Sequence, residues 1–218
     1  MALEITLAMM RTSLYSAVVC DALDSVGLRN QSPRVPLVPY SGEPLLVGRC
    51  VTTLWADQYH EVANPYELEL RAVDSCQADD VMICGANGSL HSALWGELLS
   101  TAAQNAGCIG AIVDGAVRDI AKTRKMNFPV FARGASPYDS QNRQRVIDFG
   151  VPIEIAGVRF CQGDLIFADL DGIVVVPRAA EAEVIQRAWD KAHKENQVRD
   201  AIRAGMPATS AYEKFGIL

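Results

Sequence analysis

"VPIEIAGVRFCQGDLIFADLDGIVVVPR", residues 151–178, decides the fold because it breaks a pattern that the rest of the chain keeps. Its apolar, β-branched runs are separated by Gly157, by Gln162-Gly163-Asp164 and by Leu170-Asp171-Gly172. Such punctuation signals hairpins and tight turns rather than helical crossovers. Upstream, the elements alternate. "LLVGRCVTTLWA" (45–56) is β-rich, "PYELELRAVDS" (65–75) opens on a proline and reads as a helix, and "DVMICGA" (80–86) is a short buried strand. "GELLSTAAQNAG" (96–107) is a helix closed by Gly107, "CIGAIVDGA" (108–116) a strand, "DIAKTRKMN" (119–127) a short helix and "PVFARGA" (129–135) another strand. Nearer the N-terminus, "TSLYSAVVCDALDSVG" (12–27) places Leu14, Ala17, Val18 and Leu23 at helical spacing and stops at Gly27. From Ala179 the chain reads as one long helix and a short tail. Mixed βα units, then a β-meander, then a helix predict an α/β sandwich rather than a uniform doubly wound sheet. No repeat or linker divides the chain, and the only soft boundary falls near Pro177, separating 1–177 from a helical extension, 178–218.

Composition narrows the function. Half of the 218 residues are hydrophobic and 21% are charged, which describes an ordinary globular chain long enough to bury a core. A net charge of -6 argues against a general nucleic-acid binder, which needs a basic stripe to neutralise phosphates. In "MALEITLAMMRTSLYSAVVC" Glu4 and Arg11 interrupt the apolar run and no basic leader precedes it, so neither a signal peptide nor a membrane span is expected. The six cysteines form no CxxC pair and most sit in apolar runs, which predicts buried, reduced thiols in a cytoplasmic protein. His60, His91 and His193 have no zinc-ligand spacing.

Two stretches carry chemistry. In "DGAVRDIAKTRKMNFPVFARG" (114–134) Arg118 and Asp119 follow a run that otherwise reads as buried. Either Asp119 answers the positive end of a helix with Arg118 as a solvated neighbour, or a carboxylate and a guanidinium stand ready for a hard metal and a substrate anion. In "ANGSLHSALWGELLSTAAQNAG" (86–107), glycines and small residues form a flexible approach to a helix. The first free amides of that helix, those of Glu97, Leu98 and Leu99, are suited to hold a carboxylate. Glu97 itself also reads as a dipole-favoured surface carboxylate. Twenty residues separate Glu97 from Arg118. One helix and one returning strand fill that interval, which sets both ends at one edge of a sheet.

These motifs, with "VVCDALDSVG", "FPVFARGASP", "GDLIFADLDGIVVVP" and the tail "AGMPATSAYEKFGIL", resemble a known family. It comprises the class II pyruvate aldolases that cleave 4-hydroxy-4-methyl-2-oxoglutarate and 4-carboxy-4-hydroxy-2-oxoadipate, and their relatives, the RraA-like proteins. The resemblance covers most of the chain and centres on an acidic residue, twenty residues, then Arg-Asp, matched by Glu97, Arg118 and Asp119. It implies a three-layer β/β/α sandwich of the swivelling-domain type with a long C-terminal helix, assembled as a homotrimer or a hexamer with sites between subunits. It further implies that Asp119 ligates Mg²⁺ or Mn²⁺, that Glu97 holds metal-bound water, that Arg118 contacts the oxo group of a 2-oxo acid, and that the amides of Leu98 and Leu99 bind its carboxylate. A glutamate from a neighbouring subunit's C-terminal helix belongs to the family site. Glu195 is the best match, with Glu181 and Glu183 as competitors. One position departs: Lys122 stands where these aldolases usually carry an acid, which leaves the aldol substrate open.

The implied reaction is the cleavage of a 4-hydroxy-2-oxo acid to pyruvate and a second oxo acid. The bond to C4 breaks and leaves an enolate, whose charge a Lewis acid and Arg118 stabilise together. Oxaloacetate yields the same enolate when it loses carbon dioxide. Two alternatives stand beside this reading. Lys122 or Lys125 acting as a Schiff-base amine gives an aldolase without metal. A non-catalytic protein like the RraA regulators, which inhibit a ribonuclease by protein contacts, is the other; those stop soon after the equivalent of "GIVVVP", whereas this chain continues. No glycine-rich loop here supports a methyltransferase. In the long helix Val184, Ile185, Ala188, Trp189 and Ala192 form one apolar stripe, which either its own sheet or a neighbouring subunit must cover, and the family resemblance favours the neighbour.

Overall fold

A period of two organises the molecule, as alternating side chains on pleated strands require. The computed structural model describes residues 4–217. Its centre is a nine-stranded mixed sheet ordered β1 (Val38–Ser41), β6 (Val130–Ala135), β5 (Gly110–Val117), β3 (Asp80–Gly85), β2 (Leu46–Asp57), β10 (Leu165–Ala168), β11 (Ile173–Val176). Two further strands join from the side, β4 (Ala93–Trp95) on β5 and β7 (Gln144–Phe149) on β2. Strands β2, β3, β5 and β6 run parallel, as βα units demand, while β1, β7, β10 and β11 are antiparallel additions.

Met82, Cys84, Ala111 and Val113 turn to one face and pack under α3 (Glu67–Asp74) and α4 (Glu97–Asn105). On that same face Val47, Leu165, Phe167, Val174 and Val176 pack with α1 (Leu7–Ser13), α2 (Ser16–Ser25) and α6 (Glu181–Arg203). Their alternates Val81, Ile83, Ile112, Ile166 and Val175 face the other way, against the separate hairpin of β8 (Ile153–Ile155) and β9 (Val158–Phe160). Hairpin, sheet and helices make the expected β/β/α sandwich, and residues 151–178 do supply its hairpin and its β10–β11 meander. Phe128, Phe131, Phe160 and Phe167 are all but fully buried, each worth about 1.5–3 kcal/mol of transfer free energy.

Three local readings need correction. The helix expected over 12–27 is interrupted: Leu14 ends α1, Tyr15 is extended, and α2 starts at Ser16, whose amide and hydroxyl both donate to Asp169 from the β10–β11 turn. That capping carboxylate is far away in sequence, so no local pattern revealed it. Gly27 does end the helix region, in the left-handed conformation at φ 86°. The approach to Glu97 is not flexible throughout, because Ala93–Trp95 is the buried strand β4. Strands β1 and β7 lay outside the predicted set; β7, "QRVIDF", is a polar edge strand with little apolar signal.

The stripe on α6 divides the helix. Val184, Ile185, Ala188 and Ala192 pack on α2 and the sheet of their own chain, with Trp189 against them. The stripe is thus covered by its own chain rather than by the neighbouring subunit expected from the sequence, and beyond Ala192 the helix runs on to pack with α7 (Ala208–Phe215). Among the described residues no helix is long and apolar enough to cross a membrane.

Candidate active site

Strand pairing explains why Gly96, Glu97, Arg118 and Asp119 meet. β4 runs parallel to β5 with Trp95 opposite Val117, and α4 is the crossover between them. The residues that follow the two strand ends therefore emerge side by side, tied by the Arg118 amide donating to the Trp95 carbonyl at 2.9 Å. Active clefts of α/β sheets commonly open at this carboxyl end.

Asp119 adopts the left-handed region, φ 58°, which an aspartate tolerates better than most residues. It occupies the N-cap position of α5 (Ile120–Thr123) yet makes no side-chain cap there. Its carboxylate turns instead to the start of α4, where Oδ2 accepts the Glu97 amide at 3.3 Å. The carboxylate does answer a helix N-terminus, but that of α4 rather than that of its own helix. Gly96 makes this approach possible, since a Cβ there would stand 2.7 Å from Asp119 Oδ2 and 3.2 Å from Arg118 Cγ. Its backbone, φ -154°, suits any residue, so Gly96→Ala should fold normally. It should push the carboxylate aside and lower turnover about 100-fold, the usual cost of an ångström of misplacement. Steady-state kinetics with a thermal melt as control checks this.

Arg118 is held by a residue that sequence reasoning missed. Its Nη2 donates to Asp139 Oδ2 at 2.9 Å, while Nε stands 3.8 Å from Asp119 Oδ2. Asp139 also accepts the Tyr66 hydroxyl at 2.9 Å and the Gln141 amide at 3.0 Å. Burial alone would raise the Asp139 carboxyl, but these three donors hold it below the ordinary carboxylate range. Tyr66 moves up to about 12, through burial and its bond to Asp139. Asp139 lies in the turn after β6, in a polar stretch that looks like any loop; its isolated bridge to Ala93 is what brings it to the cleft.

The cleft holds about 240 Å³ and is lined by Gly96, Leu98, Leu99, Arg118 and Asp119 on one side and by Tyr66, Glu69 and Asp139 on the other. The amides of Leu98 and Leu99 belong to the first turn of α4, which has no preceding helical carbonyls to bond. Glu97 stands at the rim with Lys122 Nζ 4.0 Å from its Oε2. Lys122 is mostly exposed, and such a contact contributes little. Among the described residues no lysine lines the cleft.

Glu195 is elsewhere in its own chain. It accepts the Tyr15 hydroxyl, lies 3.8 Å from Lys191, and borders a groove of about 400 Å³ between α6 and Ile217, with Arg199 and Arg203. That groove is larger than the Asp119 cleft but shares no residue with it. Glu181 forms an ion pair with Arg49, and Glu183 pairs with Arg187 along α6.

Among the described residues no three His, Cys, Asp or Glu side chains gather as a metal cage. Asp119, with Asp139 engaged by Arg118 and Tyr66, is the carboxylate left to face a hard divalent cation that keeps most of its own waters, and the cleft has no sulfur or imidazole ligand set that would fit zinc.

The RraA-like family, described as Aldolase/RraA, matches residues 16–175. A protein of Halalkalibacterium halodurans named "Putative 4-hydroxy-4-methyl-2-oxoglutarate aldolase" is 31% identical over 201 residues, 92% of this chain and 90% of that protein. Protein DlpA of Legionella pneumophila is 29% identical over 206 residues, but this chain spans only 32% of its length. Among solved structures, Streptomyces coelicolor RraAS2, presented as an unusual member of the RNase ES inhibitor RraA protein family, superposes with a TM-score of 0.78 at 27% identity, covering 88% of this chain and 95% of that one.

Proposed function

Because the chain belongs to the RraA-like aldolase/RraA family, we propose that it is a divalent-metal-dependent lyase. It cleaves a 4-hydroxy-2-oxo acid to pyruvate and a second oxo acid, and decarboxylates oxaloacetate through the same enolate. The observation that carries this reading is the convergence of Asp119, Arg118 and the α4 N-terminus in one cleft.

In this reading Asp119 holds the cation, which when bound supplies Lewis acidity toward the 2-oxo group. The Leu98 and Leu99 amides bind the substrate carboxylate at the positive end of α4. Arg118, oriented by Asp139 and through it by Tyr66, presents fixed positive charge where the enolate oxygen gains its negative charge. Glu97 at the rim receives the proton that leaves the C4 hydroxyl as the C3–C4 bond breaks. The test is a panel of 2-oxo acids with Mg²⁺ or Mn²⁺, following pyruvate release. Release that a chelator abolishes and added metal restores supports the proposal, and borohydride trapping of a pyruvate adduct would point to lysine instead.

The site is further proposed to be completed in a homotrimer, or a hexamer of two trimers, by Glu195 of a neighbouring α6, because Glu195 borders an open groove outside its own chain's cleft. Mixing Asp119→Asn and Glu195→Ala subunits under verified exchange should restore part of the activity that each variant lacks alone. A mixture that stays inactive removes Glu195 from the site. A second reading follows from the likeness to RraAS2: a regulator that binds a ribonuclease. Silence across the 2-oxo acid panel, with inhibition of ribonuclease E-type cleavage, would favour it.

A further inference from the structure

One carboxyl group in the cleft has no role in that scheme. Glu69 sits in the first turn of α3, just after its N-cap residue Tyr66, and both residues line the cleft with Arg118, Asp119 and Asp139. Glu69 is only 6% exposed, whereas the Asp119 and Asp139 side chains are each 38% exposed. Its Oε2 is buried with no hydrogen-bond partner among the described residues. A purely structural buried carboxylate is expected to be paired or fully hydrogen-bonded. This one is neither, although Arg118 stands nearby already engaged by Asp139.

Resting on the lyase reading above, we infer that Glu69 is the general acid that returns a proton to C3 of the pyruvate enolate in this cleft. When the C3–C4 bond breaks, its electron pair stays with the pyruvate half as the enolate. The C4 hydroxyl gives up its proton as the second oxo product forms. Glu69 then donates the proton of its carboxyl group to C3, which completes the methyl group of pyruvate and leaves a carboxylate. One proton is released at the C4 oxygen and one is taken up at C3, so solvent resets Glu69 with no net change. In decarboxylation carbon dioxide leaves in place of the second oxo acid, and solvent supplies the proton.

The surroundings keep this acid loaded at neutral pH. Burial first, and then the negative charge of Asp139, push the Glu69 carboxyl up to about 8, with Arg118 pulling partly the other way. Tyr66 on its own helix and the Cys84 thiol of β3 also face it. Glu97 on α4, Arg145 and Asp148 on β7, and Arg49, Cys50 and Asp57 on β2, the other elements packed on α3, exert no comparable influence. A carboxylic acid near 8 is neutral at pH 7 and matched to proton transfer.

The experiment uses the full chain loaded with Mg²⁺, pyruvate in D₂O, and proton NMR of the methyl group, alongside cleavage kinetics. Methyl exchange needs the Glu69 carboxylate as base, and cleavage needs its acid form. In the wild type, exchange should therefore rise and cleavage fall through the same pH, which the bound cation sets below the value of about 8 that burial and Asp139 give the cation-free cleft. Glu69→Gln, close in shape to the protonated acid, should slow exchange by about 100-fold or more and abolish both pH limbs. Glu69→Asp should recover part of the rate, and it carries the test if the glutamine variant does not fold. Wild-type exchange rates and pH limbs in a folded Glu69→Gln protein would overturn the inference while leaving the lyase standing. Absence of both exchange and pyruvate release in the wild type would overturn the lyase reading and this inference with it.

Discussion

Asp119→Asn is expected to abolish metal-stimulated turnover, by about 1,000-fold or more, while leaving the melting temperature nearly unchanged. The magnitude follows from Lewis-acid stabilisation of a developing enolate, several kcal/mol, at about 1.4 kcal/mol per tenfold in rate. Asp119 is the only side chain in the cleft that the lyase reading gives to the cation, so no neighbouring ligand compensates. Asparagine is the better probe than alanine because position 119 lies in the left-handed region at φ 58°, which asparagine tolerates and alanine does not. It also keeps an oxygen to accept the Glu97 amide, so the start of α4 stays satisfied. Activity and metal affinity should fall together, measured by kinetics against Mg²⁺ or Mn²⁺ concentration. A variant with full activity and unchanged metal dependence would remove Asp119 from the role given to it.

The fold was legible where burial speaks through local pattern. The β-branched runs of 151–178, split by Gly157 and Gly163, announced a hairpin and a meander, and the return from α4 to the end of β5 could be inferred from the twenty residues between Glu97 and Arg118, although β4 could not. The start of α2 was not legible, because its cap is Asp169, more than a hundred residues away. The same limit applies to the candidate site. Arg118 and Asp119 announce themselves by following a buried strand, but Asp139 and Tyr66, which aim Arg118, sit in an ordinary polar loop and at the mouth of an amphipathic helix. Glu69 was hidden more thoroughly. In "ELELRAVD" it looks like one acid of a charged helix face, and only the tertiary placement of α3 against the sheet turns it inward and strips it of water. Charge alternation in a helix reports which residues prefer solvent, not which one the packing denies it.

Arg118→Ala should cost about 2.7–4 kcal/mol of transition-state stabilisation, roughly a 100- to 1,000-fold loss in kcat, the range for removing one preorganised donor to a developing oxyanion. The loss should fall mainly on kcat rather than KM, because the guanidinium matters most once the enolate oxygen carries charge. Arg118→Lys should recover only part, since an ammonium cannot both hold Asp139 and face the substrate as the planar fork does. The substitution also acts on its neighbours in a defined direction. Asp139 loses a donor and its carboxyl should rise from its depressed position, because Arg118 is one of the groups that lower it. Glu69 loses a nearby positive charge that lowers its carboxyl, so its titration should move up. In Arg118→Ala the residual cleavage should therefore persist to higher pH than in the wild type, although its rate is far lower. A residual activity whose alkaline limb stays where it was would show that Arg118 and Glu69 do not share a field, and a loss confined to KM would leave Arg118 a binding group alone.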